Sequence, residues 1–199
     1  FHPNIIVSST GSAPLLPPIA GLKDRIDNEN HNIYSILGMI SHINDFPKDL
    51  EGKKVVVVGG GAVGLDVVEF FADRNADISI VEMMDQIGRD LDPVSKNDTK
   101  TMMKKHNVHQ LTKTALLEVK DSSFLVRGDG EPYELPFEYG FVCLGMRAQG
   151  QLYQNLTEEF SSEDVEIMNI GDSQRARRII DGTQEGRNVL TVLEQKGYL

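Results

Sequence analysis

Residues 53–85 read KKVVVVGGGAVGLDVVEFFADRNADISIVEMMD. Four β-branched residues, Val55 to Val58, run directly into Gly59, Gly60 and Gly61. Such a β-branched run reads as the central strand. Beyond the glycines, Leu65, Val68 and Ala72 recur at helical spacing, and Val67 and Phe71 widen the stripe. Residues 62–74 therefore read as a helix with one apolar face. DISIVE, residues 77–82, predicts a second strand ending at an acid, Glu82. Strand, glycine loop, helix and strand in this order make a βαβ unit with parallel strands.

The loop contains Gly59-x-Gly61-x-x-Gly64. That spacing alone is common. Its place between a strand and a helix gives each glycine a physical task. Gly59 permits the tight turn. Gly61 has no Cβ, so a pyrophosphate can approach the backbone. Gly64 lets the helix pack closely on the strand. The helix N-terminus carries free N–H groups and about half a positive charge, which suits it to phosphate. Glu82 lies 18 residues past Gly64, where a carboxylate accepts hydrogen bonds from the adenosine ribose hydroxyls. A 2′-phosphate would meet like charge there, and Met83 and Met84 supply no cation. The sequence predicts NAD(H) over NADP(H).

Composition narrows the class. The 199 residues carry 20 Lys plus Arg against 30 Asp plus Glu, a net charge of −10. That balance argues against a nucleic-acid groove, which rests on cationic contacts to phosphate. No apolar run approaches the ~20 residues needed to cross a bilayer, so no membrane role is expected. Cys143 is the only cysteine. No internal disulfide, CxxC pair or cysteine-ligated cluster can form within the chain, and a cytoplasmic setting is expected. The opening FHPNIIVSSTG lacks the basic region and apolar core of a signal peptide. It also lacks an initiating Met, as expected of a piece of a longer polypeptide.

Outside the central unit, PNIIVSST reads as a short buried strand and GSAPLLPPIAGL as a loop or linker. NIYSILGMISHIN reads as a helix with Ile33, Ile36, Leu37 and Ile40 on its apolar side. DPVSKNDTKTMMKKHN reads as a helix capped by Asp92 with Pro93 in its first turn. VHQLT, TALLEV, SFLVR and YELPFEYGFVCLG are strand candidates, and RGDGEP is a hairpin turn rather than an adhesion motif. A helix (QLYQNLTEEF), a strand and loop (VEIMNIGDS) and a terminal helix complete the chain. The predicted fold is α/β: a Rossmann-like parallel sheet with helices on both faces and an antiparallel β-meander insertion.

The segments IIVSSTGSAPLLPPIAGL and MNIGDSQRARRIIDGTQEGRNVL bracket that unit. With them, the chain resembles the two-dinucleotide-domain flavoprotein reductases, in which an NAD(P)-binding domain is inserted into an FAD-binding domain. The family's "ATG" exit and following "P..PG" are matched by Ser9-Thr10-Gly11 and Pro17-Pro18-Ile19-Ala20-Gly21. Its "GxRP"-like turn is matched loosely by Gly145-Met146-Arg147-Ala148, and its Gly-Asp motif by Gly171-Asp172. VEMMDQIGRDLD and RRIIDGTQEGRNV are most similar to the 2,4-dienoyl-CoA reductase and 2-enoate reductase group, which is old yellow enzyme-like in its N-terminal half.

The resemblance implies an NAD(H)-binding domain at 51–149, with 1–50 and 150–199 as parts of an FAD-binding domain. It implies that Gly59, Gly61, Ala62, Val63 and Gly64 cradle the NADH pyrophosphate and that Glu82, followed by Met83, holds the ribose. Gly145 would let the cofactor pass near the backbone. Gly171 and Asp172 would meet the FAD ribityl chain, and Ile180-Asp181 would lie near the flavin ring. Asp66, Ala148 and Ser9 depart from the family's usual Glu, Pro and Ala. The FAD glycine loop, and a barrel with FMN and a 4Fe-4S cluster, would lie upstream. Partners would be NADH and those upstream flavin domains. The implied activity is hydride delivery from NADH to FAD, with an enoate-type substrate further on. The fragment alone would be inactive.

Other constellations are quieter. His106 and His109 are three apart, but with His2, His31 and His42 they complete no metal set and read as surface residues. Asp90 and Asp92 read as a solvated loop and a cap. Cys143 reads as an inert core residue. No side chain reads as catalytic, which fits chemistry carried by cofactors. Three alternatives stand beside this one. The first is a nucleotide-binding module without hydride transfer. The second is another member of the same superfamily. The third is a stand-alone dehydrogenase or a methyltransferase. None of the five tyrosines has a lysine four residues later, which removes the short-chain dehydrogenases.

Overall fold

The computed structural model describes residues 3–162 and 165–198. His2 lies outside them. The chain divides into two compact units: Pro14–Gly145, and the flanking segments through Ala13 and from Met146 onward.

In chain order the elements begin with β1 (Ile5–Ser8), β2 (Ser12–Pro14), α1 (Leu22–Arg25), β3 (Ile33–Tyr34) and α2 (Ile36–Ser41). The central βαβ unit follows as β4 (Lys54–Val58), α3 (Ala62–Ala72) and β5 (Asp77–Val81). Next come α4 (Pro93–Lys105), β6 (His109–Leu111), β7 (Ala115–Val119), β8 (Ser123–Arg127), β9 (Tyr133–Pro136) and β10 (Tyr139–Val142). The chain closes with β11 (Met146–Ala148), α5 (Gln151–Glu159), β12 (Glu166–Asn169), a 3-10 turn at Gly171–Ser173 and α6 (Ile179–Gln195).

In the larger unit, five strands form one parallel sheet in the order β3-β10-β4-β5-β6. The four valines of β4 lie between Tyr139–Val142 and Ile78–Val81. Their pleat explains the apolar run. Val55 and Val57 enter a core with Val67, Val68 and Phe71 of α3, Met39 of α2 and Met103 of α4. Val56 and Val58 enter the opposite core, with Leu22 of α1 and Phe124, Val126 and Phe137 of the antiparallel meander β7-β8-β9. None of the four is more than 3% exposed. Helices therefore cover both faces, with the meander sharing the α1 side. Asp92 caps α4 as expected: its Oδ1 accepts from the N–H groups of Val94 and Ser95.

NIYSILGMISHIN is not one helix. Ile33 and Tyr34 form an edge strand paired with Gly140 and Phe141 of β10. The helix starts only after Ser35, whose hydroxyl accepts from the N–H of Gly38. The Ser35 N–H donates to Asp27. Ile33 is thus drawn into the sheet, and the face of α2 turns. Leu37 and Ile40 stand 47% and 54% exposed, while Met39 is buried.

The expected boundary at residue 51 is also corrected. Leu22, Ile26, Ile33, Met39, Phe46 and Leu50 are buried in the same two cores as β4. Residues 14–50 complete the larger unit, while the chain through Ala13 stays with the flanks. In the smaller unit, β1 pairs in parallel with β12 as a two-stranded sheet. Of β1 only Ser8 is buried, so the expected buried strand is a partly covered one.

Candidate functional site

The turn from β4 into α3 is built by close approach. Gly59 has φ of +110°, and a Cβ there would lie 2.1 Å from the carbonyl oxygen of Cys143. A Cβ on Gly64 would lie 1.8 Å from the carbonyl oxygen of Gly59. These two glycines are demanded by packing. Gly61 is different: its backbone is extended, and an added Cβ would meet nothing within 4 Å. The open space beside Gly61 is where a ligand can reach the chain. Among the described residues no acceptor faces the amides of Ala62 or Val63 at the start of α3. They are the orphan donors of a helix N-terminus, suited to an anion.

Glu82 ends β5 beside this loop. Its Oε2 accepts the Gly60 N–H at 2.6 Å, and its Oε1 accepts the Met84 N–H at 2.7 Å. The carboxylate therefore ties the glycine loop to the segment after β5. Each carboxylate oxygen has a second acceptor site, so both can take further hydrogen bonds.

The loop, Glu82 and Gly145 border one cleft of about 600 Å³ at the carboxyl ends of β4, β5 and β10. This is where open α/β sheets hold ligands. Gly59, Gly61, Ala62, Val63, Glu82, Met83 and Gly145 all line it. Gly64 lies beneath, against Gly59. Gly145 has φ of +105°, and its carbonyl accepts the Leu15 N–H at 2.9 Å. That bond helps hold Leu15, Pro17 and Ile19 as an apolar wall. Thr114, Ala115 and Leu116 form the side beyond β6. Sequence reasoning missed these six. The rule that ligands sit at strand carboxyl ends could have found Thr114, since it follows the strand next to β5.

Cys143 lines the cleft floor. Burial, and secondarily the charge of Asp66, push its thiol up to about 12. It stays protonated and is not a nucleophile at neutral pH. Burial also raises Asp66 above the usual carboxylate range. Among the described residues no cluster of His, Cys, Asp or Glu could hold a metal ion. No helix of the described residues is long and apolar enough to cross a membrane.

Gly171 and Asp172 stand in the other unit. Gly171, at φ +68°, donates its N–H to Glu185 at 2.6 Å. The Asp172 carboxylate accepts from the Ser12 hydroxyl and the Arg177 N–H, each at 3.1 Å. Arg177 pairs with Glu185 through its guanidinium. That pair and the Gly171 N–H hold the Glu185 carboxyl below the usual range.

Sheet order, glycine turn, open helix start and strand-end carboxylate together define a dinucleotide-binding α/β domain. The signature of the pyridine nucleotide-disulphide oxidoreductases matches residues 4–169, and the chain belongs to that family. It is a family of oxidoreductases that use FAD and a pyridine nucleotide. The chain is similar to the NADH oxidase of Thermoanaerobacter brockii, 26% identical over 190 residues, covering 95% of this chain and 28% of the relative. It is 25% identical over 215 residues to the metal reductase of Desulforamulus reducens, covering 93% of this chain and 30% of that protein. Its fold is similar to that of a 2-naphthoyl-CoA reductase solved with 2-naphthoyl-CoA. The TM-score is 0.73 at 20% identity, over 92% of this chain and 26% of the other. The chain spans less than a third of the length of these proteins.

Proposed function

We propose that this chain is the NADH-binding portion of a flavin-dependent oxidoreductase of the enoate or dienoyl-CoA reductase type. The observation that carries it is the joint placement of Glu82 and the free amides of Ala62 and Val63 on one cleft. The amides and the open backbone at Gly61 would hold the pyrophosphate, and Glu82 would accept from the ribose hydroxyls. Gly145 leaves room for the nicotinamide half to run along the backbone. When bound, NADH supplies a hydride and the flavin of the longer protein accepts it.

The FAD portion fits only in part. Gly171 and Asp172 offer a positive-φ turn and a carboxylate, and the rest of an FAD site would come from outside this chain. FMN and a 4Fe-4S cluster would belong to the same upstream region. The enoate assignment rests on the VEMMDQIGRDLD and RRIIDGTQEGRNV likeness.

Titration of the chain with NADH tests the reading. Glu82→Ala should weaken binding at least about tenfold, since a carboxylate contact is a charge-assisted pair of hydrogen bonds. Equal Kd values for Glu82→Ala and the parent chain would remove the proposal.

A further inference from the structure

We infer that the apolar strap Leu15–Ala20 selects the reduced cofactor, NADH, over its oxidised product, NAD+, an inference that rests on the dinucleotide reading of the cleft.

The strap runs along the side of the cleft next to Gly145. The Leu15 N–H donates to the Gly145 carbonyl and the Val119 N–H to the Ala20 carbonyl, each at 2.9 Å. Between these anchors the Ile19 N–H donates to the Pro17 carbonyl at 2.7 Å. Leu16 and Ile19 pack against the core of Leu22, Val58 and Phe124. Gly21, at φ +73°, fits so tightly that an added Cβ would lie 2.2 Å from the Val119 carbonyl oxygen. The strap is therefore a fixed wall, and Leu15, Pro17 and Ile19 line the cleft from it.

The cleft is chemically divided. Among the described residues Glu82 is the one charged side chain lining it, and Glu82 stands just past the end of β5. At the β10 end Cys143, Leu144 and Gly145 join the strap, and the Cys143 thiol stays protonated. Asp66 lines a separate recess, between α3 and α4. With the adenosine ribose at Glu82 and the pyrophosphate at the start of α3, the nicotinamide ring falls on the β10 side. The reduced ring is neutral and the oxidised ring is a cation. An apolar wall without a carboxylate strips that cation of water and offers it no partner. The chain's net charge of −10 acts the other way, since NADH carries one more negative charge than NAD+. At about 0.15 M salt that long-range field is screened beyond about 8 Å, while the wall is in contact with the ring. Local desolvation decides, and the wall favours the substrate of hydride donation over its product.

Kd values for NADH, NAD+ and ADP in that salt test this, on the 199-residue chain and its Leu15→Asp and Leu15→Asn variants. In the parent, Kd for NAD+ should exceed Kd for NADH at least about tenfold. Leu15→Asp puts a carboxylate on the wall and should lower that ratio at least about fivefold. Leu15→Asn has the same shape without the charge and should stay within about twofold of the parent. ADP lacks the nicotinamide half, so its Kd should hold within about twofold throughout. Equal Kd values for NADH and NAD+ in the parent overturn the inference and leave the dinucleotide reading standing. So does an unchanged ratio in Leu15→Asp, or an equal fall in Leu15→Asn. A parent chain that binds none of the three overturns both. Should Leu15→Asp lose ADP binding, Pro17→Asp decides in its place.

Discussion

An alanine methyl at Gly64 would sit 1.8 Å from a backbone oxygen, whereas one at Gly61 would meet nothing within 4 Å. The two positions therefore separate folding from binding. Gly61→Ala should keep the fold, at a cost below about 1 kcal/mol for losing a glycine at the N-cap. It should weaken NADH binding at least about tenfold, because the methyl fills the space the pyrophosphate needs. Gly64→Ala should lower the melting temperature sharply, since the helix must lift from the strand. Thermal melts beside NADH titrations check both. If Gly61→Ala binds like the parent, the pyrophosphate lies elsewhere. The residues of the loop and Glu82 were legible because one local motif holds them. Thr114 was not, because the segment after a different strand, β6, brings it to the cleft.

The second helix shows where periodicity misleads. Ile33, Ile36, Leu37 and Ile40 share helical spacing, yet Ile33 pairs in the sheet and Leu37 and Ile40 face outward. An edge strand of two residues is too short to give a period of its own, so the helix pattern ran through it. Met39→Ala should cost about 2–5 kcal/mol. Leu37→Ser with Ile40→Ser should leave stability within about 1 kcal/mol. Urea unfolding distinguishes them, and a large loss in the double variant would mean that the outward face is packed. Within the smaller unit's last helix, Glu185 holds the Gly171 N–H with its pKa depressed. Its contribution is complete above the ordinary carboxylate range and is lost as pH falls through the lower folded value. Exchange of the Gly171 amide should stay protected at neutral pH and accelerate only in strong acid. In Glu185→Gln that acid-induced acceleration should disappear, and an unaltered exchange profile would refute the role.

Across the whole molecule, the parallel sheet with helices on both faces and the antiparallel insertion were legible from the alternation of strands and helices. The unit boundary was not. Proline and glycine between 11 and 21 look like a linker, but the following residues fill both cores of the larger unit. A protein spanning 14–145 should fold cooperatively and bind NADH. One spanning 51–149 would lack Leu22, Ile33, Met39, Phe46 and Leu50 and leave β10 without its outer partner. It should be unfolded or aggregated. Circular dichroism and NADH titration of the two fragments give the comparison, and a stable, binding-competent 51–149 would restore the earlier boundary.

The carboxylate of Glu82 ties Gly60 and Met84 together through hydrogen bonds internal to the chain. The loop is thus ordered in advance, and association need not include the entropy of freezing it. Nucleotide capture should then be a single bimolecular step. Its observed rate should climb linearly with nucleotide concentration in stopped flow, without the plateau that a slow loop closure would impose.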